Sequence, residues 1–369
     1  MKIAYASVQR DGTGYANSAR DFIKCLIKEG VDVVPIWFTL NNNPYFNDKE
    51  IPYRNDLNNI DIVIQQTIPN TFVRVSSAKN IGMFYWETSN FSSSGWQHSC
   101  NLMDQIWTTT KEQAIAAKES GVSVDIQEVS RPCDFSKYNN EYELIEFSDE
   151  IKDTYKFYTI SDFSHRKNVS SLIAAFLSEF TVYDNVSLVI KTYVSNNNSE
   201  QSMLHVSRAI DEIKSKLRKN SYLYPKILVI TDYQSEDTIM SLHKQCDCYV
   251  SMSRGEGECI PAFDAASFSN PCVITRWNGP AKMFMEDYGS TVNSMIKKHV
   301  FGMSESAILP GLYSSSEWWM EGSSYEFMEK MRRARNGEFV EDAKKQKEFL
   351  LNTFSYSVVG PKLKELLSK

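Results

Sequence analysis

Two rhythms of apolar residues alternate along the chain. Short continuous runs rich in Val, Ile and aromatic residues predict strands buried on both faces. Between them, apolar residues recur every three or four positions and predict helices. In the first third, strands are predicted at Lys2–Val8, Val31–Phe38, Ile60–Gln66, Asn80–Trp86, Asp104–Thr110 and Val124–Ser130. Ala16, Ala19, Phe22, Ile23, Leu26 and Ile27 lie on one face of a helix that Gly30 closes. A further helix, KEQAIAAKESG, separates the last two strands. The rhythm lapses at Arg131–Lys152, which is polar and acidic, and then restarts.

In the second half, strands are predicted at Tyr155–Ser161, Asn185–Val194 and Pro225–Tyr233, with two more around CDCYVSM and PCVITRW. Val169, Leu172, Ile173, Phe176, Leu177 and Phe180 form one helical face, and Ser235 caps another predicted helix. The tail from Glu338 reads as helical. NNNPYF and VSNNNSE read as short polar loops. Strand–helix alternation of this kind makes parallel sheets covered by helices. The expected fold class is therefore α/β, with two Rossmann-like domains whose parallel sheets face a central cleft. Their predicted spans are residues 1–134 and 153–349, joined by a linker at 135–152.

Composition narrows the function classes. The 369 residues carry a formal charge of -6, which gives no general attraction to nucleic acid or anionic membrane. No stretch reaches the roughly 18 apolar residues of a membrane span. The helices of the first domain mix signs and lack a basic face for lipid. Seven cysteines fall in no disulfide or zinc spacing, which points to reduced thiols and a cytoplasmic setting.

Candidate chemistry lies in the loops after strands. DGTGYANSARDF places Gly12 and Gly14 between the first strand and a helix. A dinucleotide fingerprint needs a third glycine where Asn17 stands, and an acid after the second strand where Thr39 and Leu40 stand. What the loop retains is close backbone approach beside a helix N-terminus. In the second half, CYVSMSRGEGECIPAFDAASF runs from a strand through Arg254, Gly255, Glu256, Gly257 and Glu258 into a helix near Pro261. Loop amides and a helix N-terminus suit a diphosphate, and carboxylates beside them suit sugar hydroxyls. Arg166 and Lys167 precede another helix and make a second cationic site for a diphosphate.

This stretch resembles the Glu-x7-Glu motif of retaining GT-B glycosyltransferases, the glycosyl transferases group one family. Glu256, Gly257, Ile260, Pro261 and Ala265 fit the family pattern. Glu258, Cys259 and Asp264 depart from it, Asp264 replacing the second Glu. SDFSHRKNVSSLIAAF resembles the family's phosphate-binding segment, with Lys167 on its lysine and Asn168 as a candidate N-cap. The family often has a further Arg near Asp162, and Arg166 is the candidate substitute. YWETSNF resembles a first-domain variant in which Glu87 becomes the acceptor-side group.

The resemblance implies a nucleotide diphosphate sugar as co-substrate, UDP- or GDP-linked, and a glycan or other hydroxyl acceptor, with retention at the anomeric carbon. It implies donor contacts from Gly14, Arg166, Lys167, Arg254, Glu256, Gly257, Glu258, Cys259, Ile260 and Asp264, with Tyr233 as a base-stacking candidate. Glu256, Glu87 and Lys167 are the catalytic candidates. Asp264 would hold the ribose, and a C-terminal helix at 350–369 would cross back to the first domain. No Asp-x-Asp pair stands in a matching place, so no metal or other cofactor is expected. His165, His205, His243 and His299 read as structural or solvated, and Trp318 and Trp319 as packing or an acceptor platform. A nucleotide-sugar epimerase, a dinucleotide oxidoreductase and a non-catalytic sugar-binding protein stay open as alternatives.

Overall fold

The computed structural model describes residues 1–8, 14–38, 51, 54–300, 303 and 312–369. Contacts divide the chain into two units, the first comprising 1–135, 305–317 and 351–369 and the second 136–304 and 318–350. Residues 312–317 group with unit one.

Unit one holds β1 (Lys2–Ser7), α1 (Gly14–Lys28), β2 (Asp32–Trp37), β3 (Ile62–Gln66), β4 (Lys79–Met83), α2 (Trp96–Cys100), β5 (Gln105–Thr108), α3 (Lys111–Glu119) and β6 (Asp125–Glu128). The six strands form one parallel sheet in the order β2-β1-β3-β4-β5-β6. All five residues of β3 are buried, which is why they read as a continuous apolar run ending in two glutamines. Gly30, at φ 74°, ends α1 in the left-handed region that glycine enters without strain. Thr110 caps α3 by accepting from the Gln113 amide.

Unit two begins with β7 (Tyr155–Ile160), α4 (Val169–Glu179), β8 (Val186–Lys191), α5 (Ser199–Leu217), β9 (Lys226–Ile230) and α6 (Glu236–Gln245). It continues with β10 (Cys248–Ser251), α7 (Ile260–Ser267), β11 (Cys272–Ile274), α8 (Gly279–Met283), β12 (Met295–His299), β13 (Trp318–Gly322) and α9 (Ser324–Arg335). Its parallel sheet runs β11-β10-β7-β8-β9, and β12 and β13 form a separate antiparallel hairpin. The strand order reverses between β7 and β10, the place where an open α/β sheet leaves a crevice at its strand C-termini. The core gathers Phe157, Leu172, Phe176, Leu188, Val250 and Phe327, all buried.

Helix α10 (Val340–Phe354) carries the chain from unit two back to unit one, where α11 (Tyr356–Leu367) packs on α1. Val359, Leu363 and Leu367 of α11 join the core made by Phe22, Ile23 and Leu26 of α1.

Three local expectations are corrected. VSNNNSE is not only a loop: Asn198 caps α5, its side chain accepting from the Gln201 amide while Gln201 reaches back. The hairpin β12–β13 had no predicted counterpart. Asn168 stands at the N-terminus of α4 at φ 55°, but its side chain makes no cap bond. Its amide instead donates to the Met252 carbonyl at 3.2 Å, tying the two loops of the crevice together.

Candidate active site

Two loops meet at the reversal point of unit two. One follows β7 and carries Arg166 and Lys167, and the other follows β10 and carries Arg254 through Cys259. Backbone joins them, the Arg254 amide donating to the Arg166 carbonyl at 2.9 Å. Their side chains converge on Glu256. Lys167 Nζ lies 2.7 Å from both carboxylate oxygens of Glu256. Arg166 lies 3.6 Å from Glu256 Oε2 and donates to the Gly255 carbonyl at 2.7 Å. Glu256 is 7% exposed, so this is a nearly dehydrated cluster, where each charge needs its partner.

Burial, the largest single influence, opposes the charge on Lys167, but Glu256 and Asp162 acting together hold the ammonium above its ordinary pKa. Burial likewise opposes ionisation of Asp162, and Lys167 and Arg166 together hold it below the ordinary Asp value. The arrangement is a compact set of two cations and two acids beside the N-terminus of α4. Such a set can neutralise a leaving diphosphate while a carboxylate faces the group that departs from it.

The glycine-rich loop is held from behind. A Cβ on Gly279, at the start of α8, would stand 2.7 Å from the Gly257 carbonyl oxygen and 2.8 Å from Glu258 Cα. Only a residue without a side chain lets α8 approach the loop this closely. Cys259 precedes α7 at φ 45°, Ile260 opens that helix half-buried, and Glu258 is 7% exposed. A cavity of about 10 Å³ sits behind Glu256, lined by Ser251, Ser253, Thr275 and Trp277. It has room for one water.

The other predicted donor residues are placed differently. The Arg254 guanidinium is committed to Glu321 on β13 at 2.7 Å and to the His165 carbonyl. Asp264 lies on α7 at 4% exposure, and Tyr138 donates to it at 2.5 Å while Lys137 Nζ stands 3.1 Å away. Sequence reasoning missed both partners, because they lie in the segment set aside as a linker. Tyr233 follows β9 and is 66% exposed. His243 is fully buried, bonded to the Tyr158 hydroxyl at 2.8 Å and stacked on Phe268. Burial pushes its pKa down to about 4. Trp319 is fully buried, whereas Trp318 is half-buried against Trp277.

In unit one, Gly14 is the first residue of α1 and is exposed, while Gly12 lies outside the described residues. Glu87 follows β4, half-buried, and accepts from the Tyr313 hydroxyl at 3.0 Å. Tyr313 stacks on Trp86, with ring centroids 5.1 Å apart. Glu317, an acid that sequence reasoning did not single out, is fully buried beside this group. Its position in the polar run SSSE resembles a solvated loop, so only the fold exposes it. Among the described residues, no group of three or more His, Cys, Asp or Glu is placed to hold a metal ion. No described helix is long and apolar enough to cross a membrane, and all seven cysteines are buried free thiols.

Residues 141–295 match the family described as Glycosyl transferases group 1. No curated protein matches the chain in sequence. Solved structures share the fold. An E. coli trehalose-6-phosphate structure bound with UDP-2-fluoro glucose superposes with a TM-score of 0.70 at 9% identity, covering 100% of this chain and 99% of that one. Anabaena HepE, in complex with UDP and glucose, gives 0.66 at 13% identity, with 100% and 99% coverage. An S. aureus TarM variant, in complex with fondaparinux, alpha-GlcNAc-glycerol and UDP, gives 0.56 at 14% identity over 84% of this chain. This chain spans 55% of that TarM chain. The fold these neighbours share is GT-B, two parallel-sheet α/β domains, as the sequence pattern predicts.

Proposed function

We propose that this glycosyltransferase, whose residues 141–295 belong to the glycosyl transferases group 1 family, moves a sugar from a nucleoside diphosphate sugar to a hydroxyl of a glycan or other acceptor, with anomeric retention. The observation that carries the reading is the Lys167–Glu256–Arg166 cluster at the reversal point of the second sheet. UDP and UDP-linked sugars in the neighbouring structures favour a uridine donor over a guanosine one.

In this reading the diphosphate replaces Glu256 as the counter-charge of Lys167. Arg166 and the α4 amides complete its neutralisation as the glycosidic bond breaks. Glu256, released from Lys167, faces the donor sugar and supports the positive character that develops at its anomeric carbon. The fixed cations take the charge-neutralising role, so turnover needs no metal and survives EDTA. Glu87 in unit one is the acceptor-side group, orienting the attacking hydroxyl or taking its proton.

A second reading, nucleotide-sugar binding without turnover, draws on Asp264: the ribose acid of the family motif is here engaged by Tyr138 and Lys137. One screen tests both. Melting is followed with UDP, GDP, ADP, TDP and their sugars, with NAD as control. A shift with one nucleoside diphosphate, lost in Lys167→Ala, is expected. Consumption of the bound donor with a retained anomeric configuration in the product selects the first reading, and binding with no consumption selects the second. A shift with NAD alone would sink both.

A further inference from the structure

Glu317 sits where two separate stretches of unit one meet. Its Oε2 lies 2.7 Å from the Thr88 hydroxyl, and its Oε1 accepts from the Ser314 amide at 3.1 Å. The Ser314 hydroxyl stands 3.4 Å from the same Oε1 and accepts from Ser93 at 2.9 Å. These contacts fasten residues 312–317 onto the exit of β4. Tyr313, in the same segment, is stacked on Trp86 and bonded to Glu87.

Thr88 has one proton between two acceptors. Its hydroxyl also lies 3.0 Å from the Asn90 carbonyl oxygen, which additionally accepts from Trp86 Nε1 at 3.0 Å. A threonine hydroxyl has one proton to give, and a carbonyl oxygen has none. Thr88 therefore satisfies Asn90 and Glu317 together only if Glu317 Oε2 carries a proton and donates it to Thr88 Oγ1. Both contacts are then full hydrogen bonds in a site where Glu317 and Thr88 are 0% and 2% exposed.

We propose that Glu317 is a positioning residue that stores a proton: as a neutral acid it pins residues 313–317 to the end of β4, so that Tyr313 holds Glu87 in place. The reading of Glu87 as the acceptor-side group rests on the proposed function, whereas the proton on Glu317 does not. Burial, reinforced by the negative charge of Glu87, pushes the Glu317 pKa up to about 7, against the pull of Ser314 and of Thr88 whenever its hydroxyl turns to the carboxylate. Among the described residues, the charged group facing Glu317 is Glu87, and Tyr15 and Tyr313 are the tyrosines facing Glu87. When pH rises through neutrality the proton leaves to solvent. Thr88 must then abandon either Asn90 or the new carboxylate, and two carboxylates repel across the segment that holds Tyr313.

Glutamine copies the neutral acid permanently, since its amide nitrogen can donate to Thr88 while its oxygen accepts from Ser314. The test compares wild type, Glu317→Gln and Glu317→Ala between about pH 5.5 and 9. Infrared difference spectra read the protonated carboxyl, and acceptor transfer is read as kcat and KM. The wild type should show a carboxylic acid band that titrates near neutrality and is missing from Glu317→Gln. Its kcat for transfer should fall with that same titration. Glu317→Ala should be slow at every pH, and Glu317→Gln should restore the rate without the fall. Absence of the band, or an equal alkaline fall in Glu317→Gln, overturns the proposal. If no nucleoside diphosphate sugar is turned over, the proposed function falls, and the band and the pH dependence of melting still decide the state of Glu317.

Discussion

His243 shows how a single buried side chain sets the response to acid. It is fully buried on α6 with Tyr158 and Phe268 against it, and its pKa of about 4 comes from burial, opposed by the nearby Asp264. The unfolded chain has an ordinary histidine there, so folding excludes a proton. The associated stability is complete above about pH 6.5 and is lost as pH falls through about 4. Its size is on the order of 3 kcal/mol. Urea unfolding at neutral and mildly acid pH checks this: His243→Gln should lose much less stability between the two than wild type does. Equal losses would place the acid sensitivity elsewhere. The same residue scale divides the candidate site into legible and hidden parts. Glu256 and Lys167 were legible because strand, loop and helix signals bracket both. Tyr138, Lys137 and Glu317 were hidden, since each stands in a polar stretch whose partner is distant in sequence.

At the scale of elements, most strands were legible because parallel strands buried on both faces concentrate β-branched residues. Helix α5 was not, for of its 19 residues only Ser202, Val206 and Ile210 are buried, and it begins inside an asparagine run. The strand β12 was masked by two lysines and a histidine within five residues, three of the five exposed. The resemblance contributed the family of the second unit, which spacing alone left open between several nucleotide-binding classes. One element contact makes a sharp prediction. The α8 terminus meets the loop of Glu256 at Gly279, and a methyl group there has backbone, not a flexible side chain, in its way. Gly279→Ala should therefore displace residues 257 and 258, cost about 1–3 kcal/mol of stability and shrink the nucleotide-induced melting shift. A variant that binds nucleotide as well as wild type would show that this loop does not hold the diphosphate.

Across the whole molecule, unit one is assembled from three separated stretches of chain. Its last stretch supplies Val359, Leu363 and Leu367, each at most 4% exposed, to the core under α1. Removing them forfeits about 5–9 kcal/mol at 1.5–3 kcal/mol per side chain. That is comparable with the 5–15 kcal/mol by which a typical domain is stable. A chain ending at Ser355 should therefore lose protection from hydrogen exchange throughout the β1–β6 sheet and keep it in β7–β11. Uniform protection across both sheets would mean that α11 is dispensable.

The same threading sets an order of events on the ribosome. Synthesis runs from the first residue onward, and domains tend to fold as they emerge. Here the sheet made first cannot be sealed until α11 has left the exit tunnel, some two hundred residues after β6. Unit two needs nothing beyond Leu350 and so is complete earlier, although it starts later. Until α11 emerges, the nascent chain carries a first unit with the apolar flank of α1 bare. That flank is the apolar surface of the nascent chain most in need of cover.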